Sequence, residues 1–319
     1  MNLLLLGVVT GFLLPIQGGI NARLRAAVVS PWVMSLVSFT VGLSFLTVLT
    51  LSVERSLFFD PAEAAGFDWW SWLGGPLGVV AMTTSVLLVP KIGAVQTAII
   101  PLAGQILMGL LVDQFAWFGV TEAPLTLTRV AGALLMLAGV LAVVLVGQRT
   151  ARRLRSATSQ PVNTTSESQG RSLWWWRGAG VIAGAMFATQ AAINGHLGQE
   201  LGSSLKASTV SFATGVVVLL MILLVTRPRL QLTRPTAGRN PWWMWLGGVL
   251  GSLYVAGNAF LVPQIGAGAT VVAVLLGMMA GSLLVDHFGL VHVQRKPVVP
   301  AQLLALVVMA LGVILVRLV

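Results

Sequence analysis

The chain has 319 residues, of which 56% are apolar and 9% are charged, and its mean hydropathy is +0.91. Soluble domains carry roughly 25% charged residues, so this composition excludes an ordinary soluble enzyme as well as disordered and fibrous proteins. It predicts an integral membrane protein. The chain has no cysteine, which excludes disulfides, thiolate metal sites and cysteine nucleophiles. The net charge of +10 must be assigned to loops before it can indicate a partner.

Ten apolar stretches are long enough to cross a hydrocarbon core of about 30 Å, which takes roughly 20 helical residues. Proline, glycine, charged or polar residues separate them. The predicted spans are 2–22, 32–53, 69–89, 95–112, 127–147, 175–195, 205–226, 242–262, 268–285 and 299–319. The connection 148–172 differs from the others, because it contains almost no large apolar side chain. We predict that it is a disordered cytoplasmic linker.

The two halves of the chain repeat each other at a constant offset of 184 − 11 = 173 residues. The segment GFLLPIQGGINARL, from Gly11, aligns with GAMFATQAAINGHL, from Gly184. The same offset, without a gap, pairs Gln17 with Gln190, Asn21 with Asn194, Ser38 with Ser211, Gly93 with Gly266, and Asp113 with Asp286. Each half has five predicted spans, and an odd number means that the second copy enters the membrane from the opposite side. We therefore predict an all-α integral membrane fold with ten transmembrane helices in two inverted-topology five-helix repeats, 1–147 and 173–319.

The distribution of Lys and Arg tests this topology, because these residues concentrate in short cytoplasmic loops. When the predicted loops are assigned to alternate sides, 15 of the 19 basic residues fall on one side. The four on the other side are Arg55, Arg129, Lys206 and Arg317. We predict a multi-pass protein of the inner (plasma) membrane, with the basic side cytoplasmic and both termini extracytoplasmic. On this interpretation the net charge is an orientation signal and does not indicate binding to nucleic acid.

Four short motifs mark the helices of the first half. They are G-x5-Q-x3-N-x2-L from Gly11, S-x2-SF-x2-G from Ser35, P-x-I-G-A from Pro90 and D-x-F from Asp113. As a set they resemble the YdcZ-like family of the drug/metabolite transporter superfamily, here in a fused duplicated form that covers nearly all of the chain outside the linker. The resemblance implies a secondary transporter in which the first four helices of each half line a cavity and the fifth packs outside. It indicates no substrate.

Polar side chains within the spans are the candidates for a binding site, because in lipid each is costly unless it faces protein or a cavity. Gln17 and Gln190 occupy equivalent positions in the first and sixth helices. Ser38 and Ser211 lie on small polar stripes of the second and seventh helices. Each of these side chains can either bind a solute or hydrogen-bond a neighbouring helix.

The positions at which the repeats differ are also informative. Tyr254 and Asn258, in the eighth helix, stand where the first half has Ala81 and Ser85. Gln105, in the fourth helix, is matched by a methionine. These three polar residues join the two glutamines and two serines as the predicted substrate-binding residues of an asymmetric cavity, and helix packing is the alternative role for each.

Two further pairs lie nearer the helix ends. Asn21 and Asn194 are predicted to cap a helix or fix a loop. Asp113 and Asp286 end the fourth helix of each half, and we expect them to fix loops and not to relay protons.

The middle third of every predicted span lacks Asp, Glu, Lys and Arg, which disfavours proton-coupled antiport of drug cations through an embedded carboxylate. Because the sequence shows no catalytic set, nucleotide-binding loop or metal-ligand spacing, we predict no enzyme activity, cofactor or metal. We predict a secondary transporter of a small neutral, zwitterionic or weakly polar metabolite, working by alternating access between the repeats. The alternatives are a lipid or lipid-linked-sugar translocase and a non-transporting membrane scaffold. The expected partners are a small-molecule substrate and the lipid bilayer, for either a monomer or a homodimer.

The predicted topology places a tag at either terminus on the extracytoplasmic side and a tag within 148–172 in the cytoplasm, since basic residues follow cytoplasmic loops. Protease accessibility of each tag in vesicles of known orientation measures this directly. A cytoplasmic amino-terminal tag would contradict the assignment.

Overall fold

The structure is a computed structural model that describes residues 2–28, 30–57, 66–157, 170–227, 240–292, 295 and 297–317. Its regular elements within those ranges are all helical. The α-helices are α1 (Asn2–Val28), α2 (Pro31–Glu54), α3 and α4 (together Gly74–Gln114), α5 (Leu127–Ala157), α6 (Gly170–Glu200), α7 (Ser204–Thr226), α8 (Gly247–Ile265), α9 (Ala267–Phe288) and α10 (Pro300–Arg317). Short 3₁₀ turns, Trp69–Leu73 and Trp242–Trp245, precede α3 and α8.

A single glycine divides the segment Gly74–Gln114 into two helices. Gly93 has φ 78° and ψ 161°, so α3 comprises 74–92 and α4 comprises 94–114. Gly266, its mate at the 173-residue offset, has φ 85° and ψ 161° between α8 and α9. Glycine adopts this combination of positive φ and extended ψ, and almost no other residue does. The same break therefore separates the third and fourth helices of both repeats.

The two repeats run in opposite directions. Their fifth helices, α5 and α10, pack against each other, with Gly132 against Gly312 and Gly139 against Ala305. Because the residue number rises along one helix as it falls along the other, these two equivalent helices are antiparallel. The predicted all-α, two-repeat membrane fold is confirmed, and the antiparallel pairing of equivalent helices shows the inversion.

A pseudo-twofold axis relates the repeats, and residues on it contact their own mates. The rings of Phe39 in α2 and Phe212 in α7, which are mates, have centroids 4.9 Å apart. A Cβ added at Gly42 or at Gly215 would overlap the opposing ring. Glycine at both positions therefore allows α2 and α7 to cross at the axis.

The first helix of each repeat packs along the fourth helix of the other repeat. Gly11 of α1 lies against the carbonyl group of Val274 in α9, and Gly184 of α6 lies against that of Pro101 in α4. A Cβ added at either glycine would overlap the opposing backbone. Membrane helices associate largely through such close packing of small residues, so each repeat completes its packing only against the other.

Nine of the described helices are long and apolar enough to cross a membrane, by length and composition alone. The helix α6 is not among these nine, although it is the repeat mate of α1. It carries Arg177, Gln190 and Asn194 within its length. The helix that falls short of this apolar measure therefore carries candidate site residues.

The structure changes the bounds of the predicted linker 148–172. The helix α5 continues to Ala157, and α6 begins at Gly170. Arg, Ala and Leu dominate 151–157 and are strong helix formers, which explains why the helix extends beyond the apolar span. Residues 158–169 lie outside the described residues, and for them the linker stays a prediction.

Asp113, at the end of α4, connects three elements. Its buried carboxylate forms an ion pair with Arg129 at the start of α5. It also accepts hydrogen bonds from the backbone N–H groups of Ala267, at 2.7 Å, and Gly268, at 3.0 Å. A carboxylate is stabilising at a helix N-terminus, so Asp113 caps α9 of the opposite repeat. It also fixes its own loop, as predicted, because its carbonyl oxygen accepts from the N–H of Ala123 at 2.9 Å.

The second repeat cannot form the same ion pair. The mates of Asp113 and Arg129 are Asp286 and Gln302. Gln302 is buried, and its Nε2 donates to the carbonyl of Val143 at 3.4 Å. The first repeat therefore joins its fourth and fifth helices by a buried ion pair, whereas Gln302 of the second repeat forms a hydrogen bond with α5.

The ion pairs explain two of the four basic residues on the predicted outer side. Arg129 pairs with Asp113, and Lys206 Nζ lies 3.7 Å from Glu54 Oε2. Both acids belong to the same predicted side as their partners. These two exceptions to the distribution of basic residues therefore have local counter-charges.

Replacing one partner of the Asp113–Arg129 pair should strongly destabilise the protein, because removing one buried charge leaves the other uncompensated at a cost of about 3–5 kcal/mol. We expect Asp113→Asn and Arg129→Gln each to lower the melting temperature of the purified protein clearly, and the double variant to lose less than either single one. Asp286→Asn is the matched control and should have a smaller effect. Equal melting temperatures for Asp113→Asn and Asp286→Asn would show that the buried pair contributes little.

Candidate functional site

A small cavity lies between α6 and α8, the first and third helices of the second repeat. Its free volume, including space open at its mouth, is about 180 Å³. The part that water can enter holds about one water molecule. The described residues that line it are Phe187, Gln190, Ala191, Asn194, Tyr254, Val255 and Asn258. The cavity is therefore narrow in this state and has both polar and apolar walls.

Gln190 contributes to the cavity wall from α6. Its side chain is 6% exposed and lies against Gly78 of α3, where an added Cβ would crowd the carboxamide. Its mate Gln17 lies in the same way against Gly251 of α8, one turn before Tyr254. Gln17 is not among the described residues that line the cavity. The structure thus places one of the two predicted glutamines at this cavity and the other next to its α8 wall.

Tyr254 and Asn258 lie one turn apart in the middle of α8, and both line the cavity. Asn258 is 5% exposed, and its Nδ2 donates to the carbonyl of Tyr254 at 3.1 Å. This bond holds the Nδ2 of Asn258 toward its own helix.

In the equivalent turn of the first repeat, the polar side chain forms its hydrogen bond within its own helix. Ala81 is fully buried, and the Ser85 hydroxyl donates to the Ala81 carbonyl at 2.8 Å. A serine that bonds within its own helix needs no outside partner. The two repeats differ in polarity at these two positions. In the second repeat, both positions lie on the wall of the cavity.

Asn194 also lines the cavity, although it is not among the substrate-binding residues predicted from the sequence. Its side chain is 1% exposed, and neither its Oδ1 nor its Nδ2 has a hydrogen-bond partner among the described residues. The prediction that it caps a helix is wrong, because it lies against Gly74 at the start of α3 without a hydrogen bond. The signal that could have found it is spacing, since Gln190 and Asn194 are four residues apart on one helix face.

Three predicted site residues lie elsewhere in the protein interior. Ser211 is 2% exposed and lies beside Gly74, and the carbonyl of Ser38 lies against Gly248. Gln105 is 9% exposed in α4. None of the three is among the described residues that line the cavity. The contacts of the two serines are contacts between the repeats.

The described residues around the cavity carry no charge. Three carboxamides and one phenol offer hydrogen-bond donors and acceptors, and Phe187 adds an aromatic face. An ion that entered this space would lose its hydration without gaining a counter-charge. The lining therefore suits a solute with little or no net charge.

The ten described α-helices, in two inverted repeats with a polar cavity between two of them, form an architecture that secondary transporters use. A family model described as "Putative inner membrane exporter, YdcZ" matches residues 2–142 and 175–315. The chain belongs to this family, in a duplicated form whose two matches keep the 173-residue offset at both ends. The family supports a multi-pass protein of the inner membrane with a role in transport.

A solved crystal structure of another protein is similar to the whole chain. The TM-score is 0.68 at 13% sequence identity, and the match covers 100% of this chain and 98% of that chain. At this identity the likeness shows the fold alone. No curated protein matches the chain.

Proposed function

We propose that the protein is a secondary transporter that moves a small neutral, zwitterionic or weakly polar solute across the inner membrane by alternating access. The cavity between α6 and α8 is its binding site. The observation that carries the proposal is a cavity with uncharged polar walls inside an inverted-repeat fold. In such folds the substrate binds near the middle of the membrane at the interface of the repeats, and Gln190 in the cavity wall lies against Gly78 of the first repeat.

The size of the cavity supports a conformational change. A space for about one water molecule is too small for a metabolite, so α6 and α8 must separate before a solute can enter. The close contacts at Gly11 and Gly184 favour movement of α1 with α9 and of α6 with α4. These two helix pairs are related by the pseudo-twofold axis. When the repeats exchange conformations, the cavity opens to one side of the membrane and then to the other.

The unpaired carboxamide of Asn194 argues against a purely structural role. A buried polar group without a partner costs about 1–3 kcal/mol, and a scaffold would gain stability from an apolar residue at this position. A lipid translocase has no specific observation in its favour among the described residues. A transport site that is open to a solute in part of its cycle explains the unpaired group.

Replacing Gln190 by Leu or Tyr254 by Phe should abolish transport while leaving most of the folded protein intact. Losing an interhelical hydrogen bond costs a membrane protein only about 0.6 kcal/mol of stability on average. Binding of a solute, in contrast, depends on every group that contacts the solute. Uptake into proteoliposomes, measured with a panel of radiolabelled neutral and zwitterionic metabolites, tests the expectation.

The matched control is Gln302→Leu, which removes a buried carboxamide, 7% exposed, from α10. This variant should lose some stability and keep its transport. If Gln190→Leu transports at the wild-type rate, the cavity is not the binding site; if the wild-type protein moves none of the solutes, the proposed function is wrong.

A further inference from the structure

We infer that Asn194 is the residue that selects the solute, and that the solute carries a hydrogen-bond acceptor and a donor on neighbouring atoms. Primary carboxamides, lactams and ureides have this arrangement. The inference rests on the proposed function, because it takes the cavity between α6 and α8 as the binding site.

Asn194 has unused hydrogen-bonding capacity in the wall of the cavity. Asn258 already donates to the carbonyl of Tyr254. Both polar atoms of Asn194 lack a partner among the described residues, although the side chain is 1% exposed. Buried polar atoms in folded proteins are nearly always paired. An unpaired carboxamide in a cavity wall therefore indicates a partner that arrives from outside.

The chemistry of a carboxamide defines that partner. Its oxygen accepts and its NH₂ group donates, side by side in one plane. A group that presents a donor and an acceptor in the matching order makes two hydrogen bonds at once, as an asparagine does with the edge of adenine. Two simultaneous bonds discriminate against a solute that lacks either group, because one buried atom of Asn194 is then left unpaired. A water molecule is the competing occupant, and it would bind without selecting any solute.

The repeat provides a matched control in Asn21. Its side chain is 8% exposed and lies against Gly247 of α8, as Asn194 lies against Gly74 of α3. Asn21 is not among the described residues that line the cavity. The two asparagines thus share burial, contact with a glycine and an Oδ1 without a partner among the described residues, and they differ in that Asn194 lines the cavity.

Binding to the purified full-length protein in lipid nanodiscs tests the inference with paired probes. Benzamide is compared with acetophenone, which keeps the ring and the carbonyl but lacks the N–H, and uracil is compared with 1,3-dimethyluracil. We expect at least one of benzamide and uracil to bind, and its partner without the N–H to bind about tenfold more weakly or less. Equal affinity within the pair that binds, or no binding by either amide probe, would overturn the inference.

Variants connect the selectivity to Asn194. Asn194→Leu should weaken binding of the amide probe about tenfold or more. Asn21→Leu should change the affinity by no more than about twofold. Unchanged affinity in Asn194→Leu would contradict the assignment.

The melting temperature without solute separates selection from a structural role. Replacing an unpaired buried amide by Leu should leave the melting temperature unchanged or raise it. A clearly lower melting temperature for Asn194→Leu would show that the side chain holds the fold, and would overturn the inference.

Transport distinguishes a failure of this inference from a failure of the proposed function. If proteoliposomes with Asn194→Leu move a neutral metabolite at the wild-type rate and with the wild-type selectivity, the proposed role of Asn194 is wrong. The proposed transport function is unaffected by that result. If the wild-type protein moves none of the metabolites, the proposed function itself fails.

Discussion

Backbone contact between the two repeats is the constraint on which the rest of the structure depends. The first helix of each repeat lies on the fourth helix of the other, and glycine is needed because the opposing atom is a main-chain carbonyl, at Gly11 and at Gly184. These crossings fix where α4 and α9 run, and thus where Asp113 meets the start of α9. They also place α6 beside α3 and α8. The cavity exists where α6 and α8 are held near each other without closing completely.

The differences between the repeats make the site asymmetric. A perfect duplication would place equal residues on both sides of the pseudo-twofold axis, but Tyr254 and Asn258 face the cavity where the first repeat has an alanine and a serine bonded within its own helix. The buried Asp113–Arg129 pair is likewise present in one copy. The shared residues thus build the frame and contribute Gln190 and Asn194 to the cavity, and residues that have diverged add Tyr254, Asn258 and an ionic contact on one side.

The fold could be predicted because its signals are periodic and redundant: apolar length, the 173-residue offset and the distribution of basic residues all indicate the same ten helices. The site could be predicted only in part. Tyr254 and Asn258 are identifiable from the sequence because they break the repeat, whereas Asn194 conforms to it and its position near a helix end indicates a capping residue. The cap on α9 by Asp113 joins residues 154 positions apart, and such a contact depends on how helices cross, which composition and spacing do not specify.

Access to the cavity from both sides of the membrane is the central claim of this account. The chain has no native cysteine, so Ala191→Cys places a single thiol on the cavity wall, in a residue that is 9% exposed. A membrane-impermeant thiol reagent is applied to vesicles of known orientation, first from one side and then from the other. Alternating access predicts that the thiol reacts from each side, and that a transported solute slows both reactions. Reaction from one side alone, or from neither, would contradict the account.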